Sequence, residues 1–161
     1  MREFTLADGH VNALIEPFEA DIVRDLAAQL TTLLEEPVDG DPALLRLLPD
    51  AYPDDEASST EFRRFTHDSL IERKVANART VIATLDAAAD AEGFGEQPSD
   101  RLRLSRDEAT AWLTTLTDIR LTLANRLGII EDDQRSDDVM LQDLYDWLGF
   151  VQNAIVETLE S

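Results

Sequence analysis

Apolar residues recur three or four positions apart along four long stretches of the chain, and this spacing predicts amphipathic helices. Pro17 and Pro42 stand where a helix tolerates proline, at its first position. Ser105 with Glu108 forms a capping box, and Gly128 is typical of a helix end. The predicted helices cover about 17–36, 42–48, 59–89, 105–127 and 137–159.

The helices differ in how their apolar positions are arranged. The first predicted helix has one apolar stripe, formed by Phe18, Ile22, Leu26, Leu30 and Leu33. The 59–89 helix is long for a globular protein, so a break near 66–69 is an alternative. The last helix is expected to begin at a cap on Ser136 or Asp137. Three of its apolar residues lie off its main stripe and need either an internal cover or a second copy of the chain: Trp147, Phe150 and Val156.

The first fifteen residues show a different pattern, with two short half-apolar runs separated by Asp8-Gly9. Asp-Gly tolerates the positive φ angles of a tight hairpin turn, so we expect a β-hairpin over 3–15. An isolated hairpin is marginally stable. The alternating segment 101–104 can supply a third strand.

Together these patterns predict a mainly α fold. About five helices form an irregular bundle, with a small N-terminal β-hairpin and the option of a third short strand. The length of 161 residues fits one domain, and no linker divides the chain, so we predict a single domain over 1–161.

The charge narrows the range of partners. The chain has 34 acidic and 14 basic residues, a formal net charge of −20. Such a charge repels phosphate backbones and anionic lipid, so nucleic acid is an unlikely partner and a membrane is not expected. The sequence shows neither a signal peptide nor an apolar run long enough to span a bilayer, so we expect a cytoplasmic location.

Few residues of the sequence are candidates for catalysis or for metal binding. There is no cysteine, which excludes thiolate catalysis, disulfides and thiol redox switching within this chain. His10 and His67 lie in contexts unlike a nucleophile elbow. The acids at 131–138 lack the spacing of a calcium loop. We therefore predict no catalytic, cofactor-binding or metal-binding residues and no cofactor.

One stretch is basic. Residues 62–79 contain five bases and two acids. The bases can contact phosphates or can pair with acids elsewhere in the chain, and we favour internal pairing. A Pro- and acid-rich loop at 49–58 precedes the stretch. The candidate partner-binding residues here are Tyr52, Arg63, Arg64, Arg73 and Lys74.

A second set of polar candidates lies on the 105–127 helix. Asp118 and Arg120 flank Ile119, which belongs to the apolar stripe, and Arg126 adjoins Leu127. An arginine at the edge of a core needs a partner from another helix. We expect these residues to form structural contacts more readily than a functional site.

Four segments occur in a characteristic order along the chain. They are Pro49-Asp-Ala-Tyr-Pro-Asp-Asp; Glu61-Phe-Arg-Arg-Phe-Thr66 with Arg73-Lys74; Trp112-Leu-x4-Asp118-Ile-Arg-Leu-x-Leu123 into Arg126-Leu-Gly128; and Tyr145-Asp-Trp-Leu-Gly149. Taken in this order, they resemble the actinobacterial domain-of-unknown-function family DUF2017, and the resemblance covers nearly the whole chain. The resemblance implies no established enzyme activity. It also implies a gene neighbourhood that includes the Clp protease adaptor, and some members are described as oxidative-stress transcriptional regulators.

Three hypotheses follow for the function. The first is a non-enzymatic regulatory protein that binds a protein partner, such as a transcription or proteolysis component, in a bacterial stress response. The second is a carboxylate-based metal-binding protein or enzyme. The third is a weak DNA-binding regulator acting through 62–79. A homodimer is compatible with each.

Overall fold

The structure is a computed structural model that describes residues 1–38, 40–48, 56–90, 100–128 and 138–161, with backbone alone for 56–67 and 100. The elements are β1 (Arg2–Ala7), β2 (His10–Ile15), α1 (Pro17–Glu35), α2 (Pro42–Leu47), α3 (Glu56–Asp90), β3 (Asp100–Leu104), α4 (Arg106–Leu127) and α5 (Val139–Glu160). The predicted fold class is confirmed: a helical bundle carries a small sheet that includes the third strand.

The three strands form an antiparallel sheet in the order β1-β2-β3. Asp8 and Gly9 both take positive φ, as the predicted hairpin turn requires. Val11 pairs with Leu104, and Ala13 pairs with Leu102. These four side chains are buried on the inner face of the sheet, which the helices cover.

Most of the capping residues predicted from the sequence cap helices in the structure. Asp41 accepts a hydrogen bond from the backbone N–H of Ala43 at the start of α2. Ser105 and Glu108 form the expected capping box. Gly128 ends α4 with a φ of 72°, the left-handed region that favours glycine.

One expectation about a helix boundary was wrong, and one alternative did not occur. Asp138, not Ser136 or Asp137, caps α5, because its side chain accepts from the backbone N–H of Leu141. The helix α3 runs from Glu56 to Asp90 without the considered break near 66–69.

The central helix is α4, which packs against α2, α3 and α5. Its stripe residues Trp112, Leu116, Ile119 and Leu123 are all buried. Helix α1 packs along α3 and contacts α4 more sparsely. This uneven packing leaves space between α1 and α4.

The apolar stripe of α1 is only partly buried. Leu30 is in the core, but Phe18 is 61% exposed and Ile22 is 37% exposed. The core face of α1 is formed instead by a different set of residues, several of them small: Ala20, Val23, Ala27, Leu30 and Leu34.

The three off-stripe residues of α5 have different environments. Trp147 is half-buried and packs against the core. Phe150 and Val156 are exposed, at 53% and 37%. The internal cover that the sequence required therefore exists for Trp147 alone among the three.

Candidate functional site

Lys74 and Asp118 form an ion pair in the interior of the protein. The Nζ of Lys74, on α3, donates to the Oδ1 of Asp118, on α4, at 2.7 Å. Little of either side chain reaches solvent, 13% for Lys74 and 4% for Asp118. The pair joins two packed helices and presents almost no surface to a ligand.

Burial sets the protonation behaviour of Asp118. Its pKa is raised above the ordinary 3.8 because burial disfavours the charged carboxylate, and the hydrogen bond and charge of Lys74 oppose this only in part. Asp118 Oδ2 has no hydrogen-bond partner among the described residues, and neither has the hydroxyl of Thr115, one turn earlier on α4. Thr115 was not a sequence candidate, since a helical threonine carries no distinctive signal.

The basic stretch is partly neutralised within the protein. Arg79 pairs with Glu35 at the end of α1, and Lys74 pairs with Asp118. Both partners lie on helices and not in the acidic loops. Arg73 is exposed. Internal pairing therefore occupies two of the three bases in 62–79 whose side chains the structure describes.

Three sequence candidates cannot be placed in a site. Tyr52 lies outside the described residues. Arg63 and Arg64 lie on α3, in the part described by backbone alone. Their assignment as partner-binding residues stays a prediction.

Arg120 is held against α5. Its guanidinium stacks over the ring of Tyr145, 4.1 Å from the centroid. Nε donates to the Tyr145 carbonyl, and Nη1 donates to Oε1 of Gln152. Gly149 lies beneath, and a Cβ there would be 3.0 Å from the guanidinium carbon. Arg120 thus packs closely on α5 at a glycine, where a Cβ would require the guanidinium to shift by a few tenths of an ångström. The sequence did not reveal this contact.

A second buried contact involves the largest core residue. The indole N–H of Trp112, which is fully buried, donates to Oγ1 of Thr84 at 2.8 Å. The Thr84 hydroxyl in turn donates to the carbonyl of Val81. The contact ties α4 to α3 and satisfies a donor that burial would otherwise leave unpaired.

Arg126 lies at a groove between α1 and α4. The groove contains about 310 Å³ of unfilled space, including the part open to solvent. One wall comes from α1, and the other comes from Ile119, Thr122 and Leu123 of α4. The α1 wall is formed by Leu26, Gln29, Leu30 and Leu33.

The groove continues into the exposed residues at the start of α1. Phe18, Ile22, Leu26 and Leu33 lie on one side of α1, and we call these four residues the outer stripe. Leu26 and Leu33 line the groove, while Phe18 and Ile22 extend the apolar surface beyond it. A signal for this surface was present in the sequence, because all four residues belong to the apolar stripe predicted for this helix.

Within the described ranges, no three acidic or histidine side chains gather closely enough to hold a metal ion. The acid-rich residues 131–137 lie outside those ranges. Among the helices that the structure describes, none has the length and apolar composition to cross a bilayer.

In the part of the chain that the structure describes, the protein is a bundle of five helices that carries one three-stranded sheet, and the Lys74–Asp118 pair joins α3 to α4. The chain matches the family Domain of unknown function (DUF2017) over residues 1–159 and belongs to it.

Curated relatives carry a functional name. The proteins named Oxidative stress regulator AosR from Mycobacterium bovis and Mycobacterium tuberculosis are each 31% identical to this chain over 146 residues. The match covers 71% of this chain and 64% of each relative, so the chain spans less than two thirds of their length. No solved structure gives a significant match.

Proposed function

We propose that this protein is a non-enzymatic regulator that acts by binding a partner protein in a bacterial stress response. The observation that carries the proposal is the outer stripe. Large apolar side chains exposed along one helix face, next to an open groove, are typical of a protein-binding surface. The name of the mycobacterial relatives supports the regulatory part of the proposal.

The partner is expected to be a component of transcription or proteolysis. A regulator without an active site works by changing what another protein binds, and such a contact needs an exposed surface more than it needs reactive groups. The 161 residues contain no cysteine, so oxidation of thiols within them is not the signal. A stress signal would therefore arrive through the partner or through the partner's concentration.

A cross-linking experiment in cells tests this proposal. A photo-reactive phenylalanine analogue is placed at Phe18, and at Phe150 in a matched control, since both are exposed helical phenylalanines. We expect a discrete protein adduct from position 18 that is absent or much weaker from position 150. Equal adducts from both positions, or no adduct from position 18 in a folded protein, would count against the proposal.

Identification of the adduct by mass spectrometry then tests the class of partner. A transcription component or a protease adaptor supports the regulatory interpretation. An adduct consisting only of metabolic enzymes would contradict it.

A further inference from the structure

The two faces of α1 have different roles. Helical geometry separates the core face from the outer stripe by about 120° around the axis. The core face packs against α3 and is buried, whereas the outer stripe is exposed at Phe18 and Ile22 and half-buried at Leu26 and Leu33. The outer stripe is therefore apolar surface that the helix does not use for its own packing.

The shape of this surface suits a helix. From Phe18 to Leu33 the outer stripe spans 15 residue steps, or about 22 Å along the axis. The wall of α4 runs beside its second half, where Ile119 and Leu123 continue the apolar lining. The outer stripe is apolar over about four turns and borders the groove along about the last two, and such a surface accepts the apolar face of an amphipathic helix of similar length.

The charges beside the outer stripe are acidic. Asp21 and Asp25 lie one helical turn apart, each three residues after a member of the stripe, and both are exposed. Asp21 pairs with Arg24, but Arg24 also reaches away to Asp86 on α3. Asp25 has no ion pair within the described part of the chain. Two acids at this spacing repel each other, and an incoming cation would relieve that repulsion.

Arg126 is the one base among the described residues that line the groove. Its side chain belongs to the α4 wall. The net charge of −20 adds a long-range attraction for cations and a repulsion between two copies of the chain. Charge thus disfavours a second copy as the occupant and favours a basic partner.

We propose that the outer stripe and the α1–α4 groove together bind a cationic amphipathic helix of about 15 residues from the partner protein. This inference rests on the proposed function and names the chemistry of the partner. The apolar face of the partner helix covers Phe18, Ile22, Leu26 and Leu33. Its basic residues lie beside Asp21 and Asp25.

A designed peptide tests this inference directly. The probe is a labelled peptide of about 15 residues with leucine at helical spacing and lysine elsewhere, and its control is a scrambled peptide of the same composition. Binding to the full chain is measured by fluorescence anisotropy at low and at high salt. We expect the amphipathic peptide to bind about tenfold more tightly than the scrambled one, because only it presents a continuous apolar face.

Two matched double variants locate the binding surface. F18S/I22S removes exposed apolar area from the outer stripe, and F150S/V156S removes a comparable amount from α5. All four residues are exposed, so both variants should remain folded, as circular dichroism would verify. We expect F18S/I22S to weaken peptide binding about tenfold and F150S/V156S to change it less than twofold.

A charge variant distinguishes the electrostatic part of peptide binding from the apolar part. D25N should weaken binding of the peptide and make its affinity less dependent on salt, because the variant lacks one of the two acidic charges beside the outer stripe. Equal binding of both peptides, or equal effects of the two double variants, would overturn the inference. So would sedimentation showing a dimer of the unmodified chain that F18S/I22S dissociates, since a second copy would then occupy the surface.

Failure of the cationic-helix inference and failure of the proposed function give different experimental results. If the peptide fails to bind but position 18 still cross-links to a regulatory protein in cells, the partner is not a cationic helix and the proposed function stands. If position 18 yields no adduct, the proposed function fails whatever the peptide does.

Discussion

The ammonium group of Lys74 lies 2.7 Å from Oδ1 of Asp118, across the interface between α3 and α4. The two residues are 44 positions apart in the chain. Their pairing lets a lysine and an aspartate sit where solvent hardly reaches, and removal of either partner leaves the other charge buried. This dependence of each charge on the other leads to two predictions.

Replacement of Lys74 by methionine should destabilise the protein by about 2–4 kcal/mol, because Asp118 would remain buried without its cation. The double variant K74M/D118L should recover at least half of that loss, since a buried pair is often replaced by apolar residues at little cost. Urea unfolding measures both values. R73M is the matched control, because Arg73 is the adjacent base and is exposed. A loss of less than about 0.5 kcal/mol in K74M would show that the pair is not a structural link.

The raised pKa of Asp118 gives a pH dependence with a defined sign. The folded protein holds the proton more tightly than the unfolded chain. The resulting stability is therefore fully present below pH 3.8 and is lost as the pH rises through the raised pKa. D118N lacks this titration. The unfolding free energy of the unmodified protein minus that of D118N should decrease as the pH rises above 3.8.

The measurement for this prediction is urea unfolding of both proteins at several pH values. A difference that increases with pH would mean that attraction to Lys74 outweighs the effect of burial, and the pKa of Asp118 would then be lowered in the folded state.

The helices and the hairpin could be predicted because their signals are local. Proline at a first helical position, a capping box and an Asp-Gly turn act within a few residues of one another. The core face of α1 could not be predicted in the same way. Its large apolar residues drew attention to Phe18 and Ile22, whereas close packing on α3 uses smaller residues such as Ala20 and Ala27. Periodicity identifies a helix, but side-chain size and the neighbouring helix decide which face is buried.

For the polar contacts, the sequence identified individual residues but not their partners. Lys74, Asp118 and Arg120 all stood out, yet the partner of each comes from a distant part of the chain. Thr84 and Gly149 carried no signal, because threonine and glycine in a helix are ordinary until a tryptophan or an arginine is placed against them. Tertiary structure supplied these pairings.

The packing of Arg120 on Gly149 predicts that G149A destabilises the protein when Arg120 is present and stabilises it when Arg120 is replaced by alanine. In a helix interior, alanine is favoured over glycine by about 1 kcal/mol. In the unmodified protein, however, the new Cβ of G149A would lie 3.0 Å from Cζ and Nη2 of Arg120. Because Tyr145 and Gln152 hold the guanidinium in place, we expect a net loss of about 1 kcal/mol.

The same substitution should stabilise the protein when Arg120 is replaced by alanine. Without the guanidinium, the helix preference for alanine remains, and G149A should gain about 0.5–1 kcal/mol. Thermal unfolding of the four proteins in this cycle measures the coupling. A gain from G149A in both backgrounds would show that Arg120 moves aside freely.

The contact between Trp112 and Thr84 supports a last prediction. T84V keeps the volume of the side chain but removes the oxygen that accepts the indole N–H of Trp112. A buried donor left without an acceptor costs about 1–3 kcal/mol, so T84V should lose stability in that range. T84S keeps the hydroxyl and should retain the hydrogen bond, at the smaller cost of one buried methyl group. Hydrogen exchange of the indole N–H, followed by NMR, distinguishes the two: it should be fast in T84V and slow in T84S. Equal exchange in both variants would indicate that packing, and not the threonine hydroxyl, protects this group.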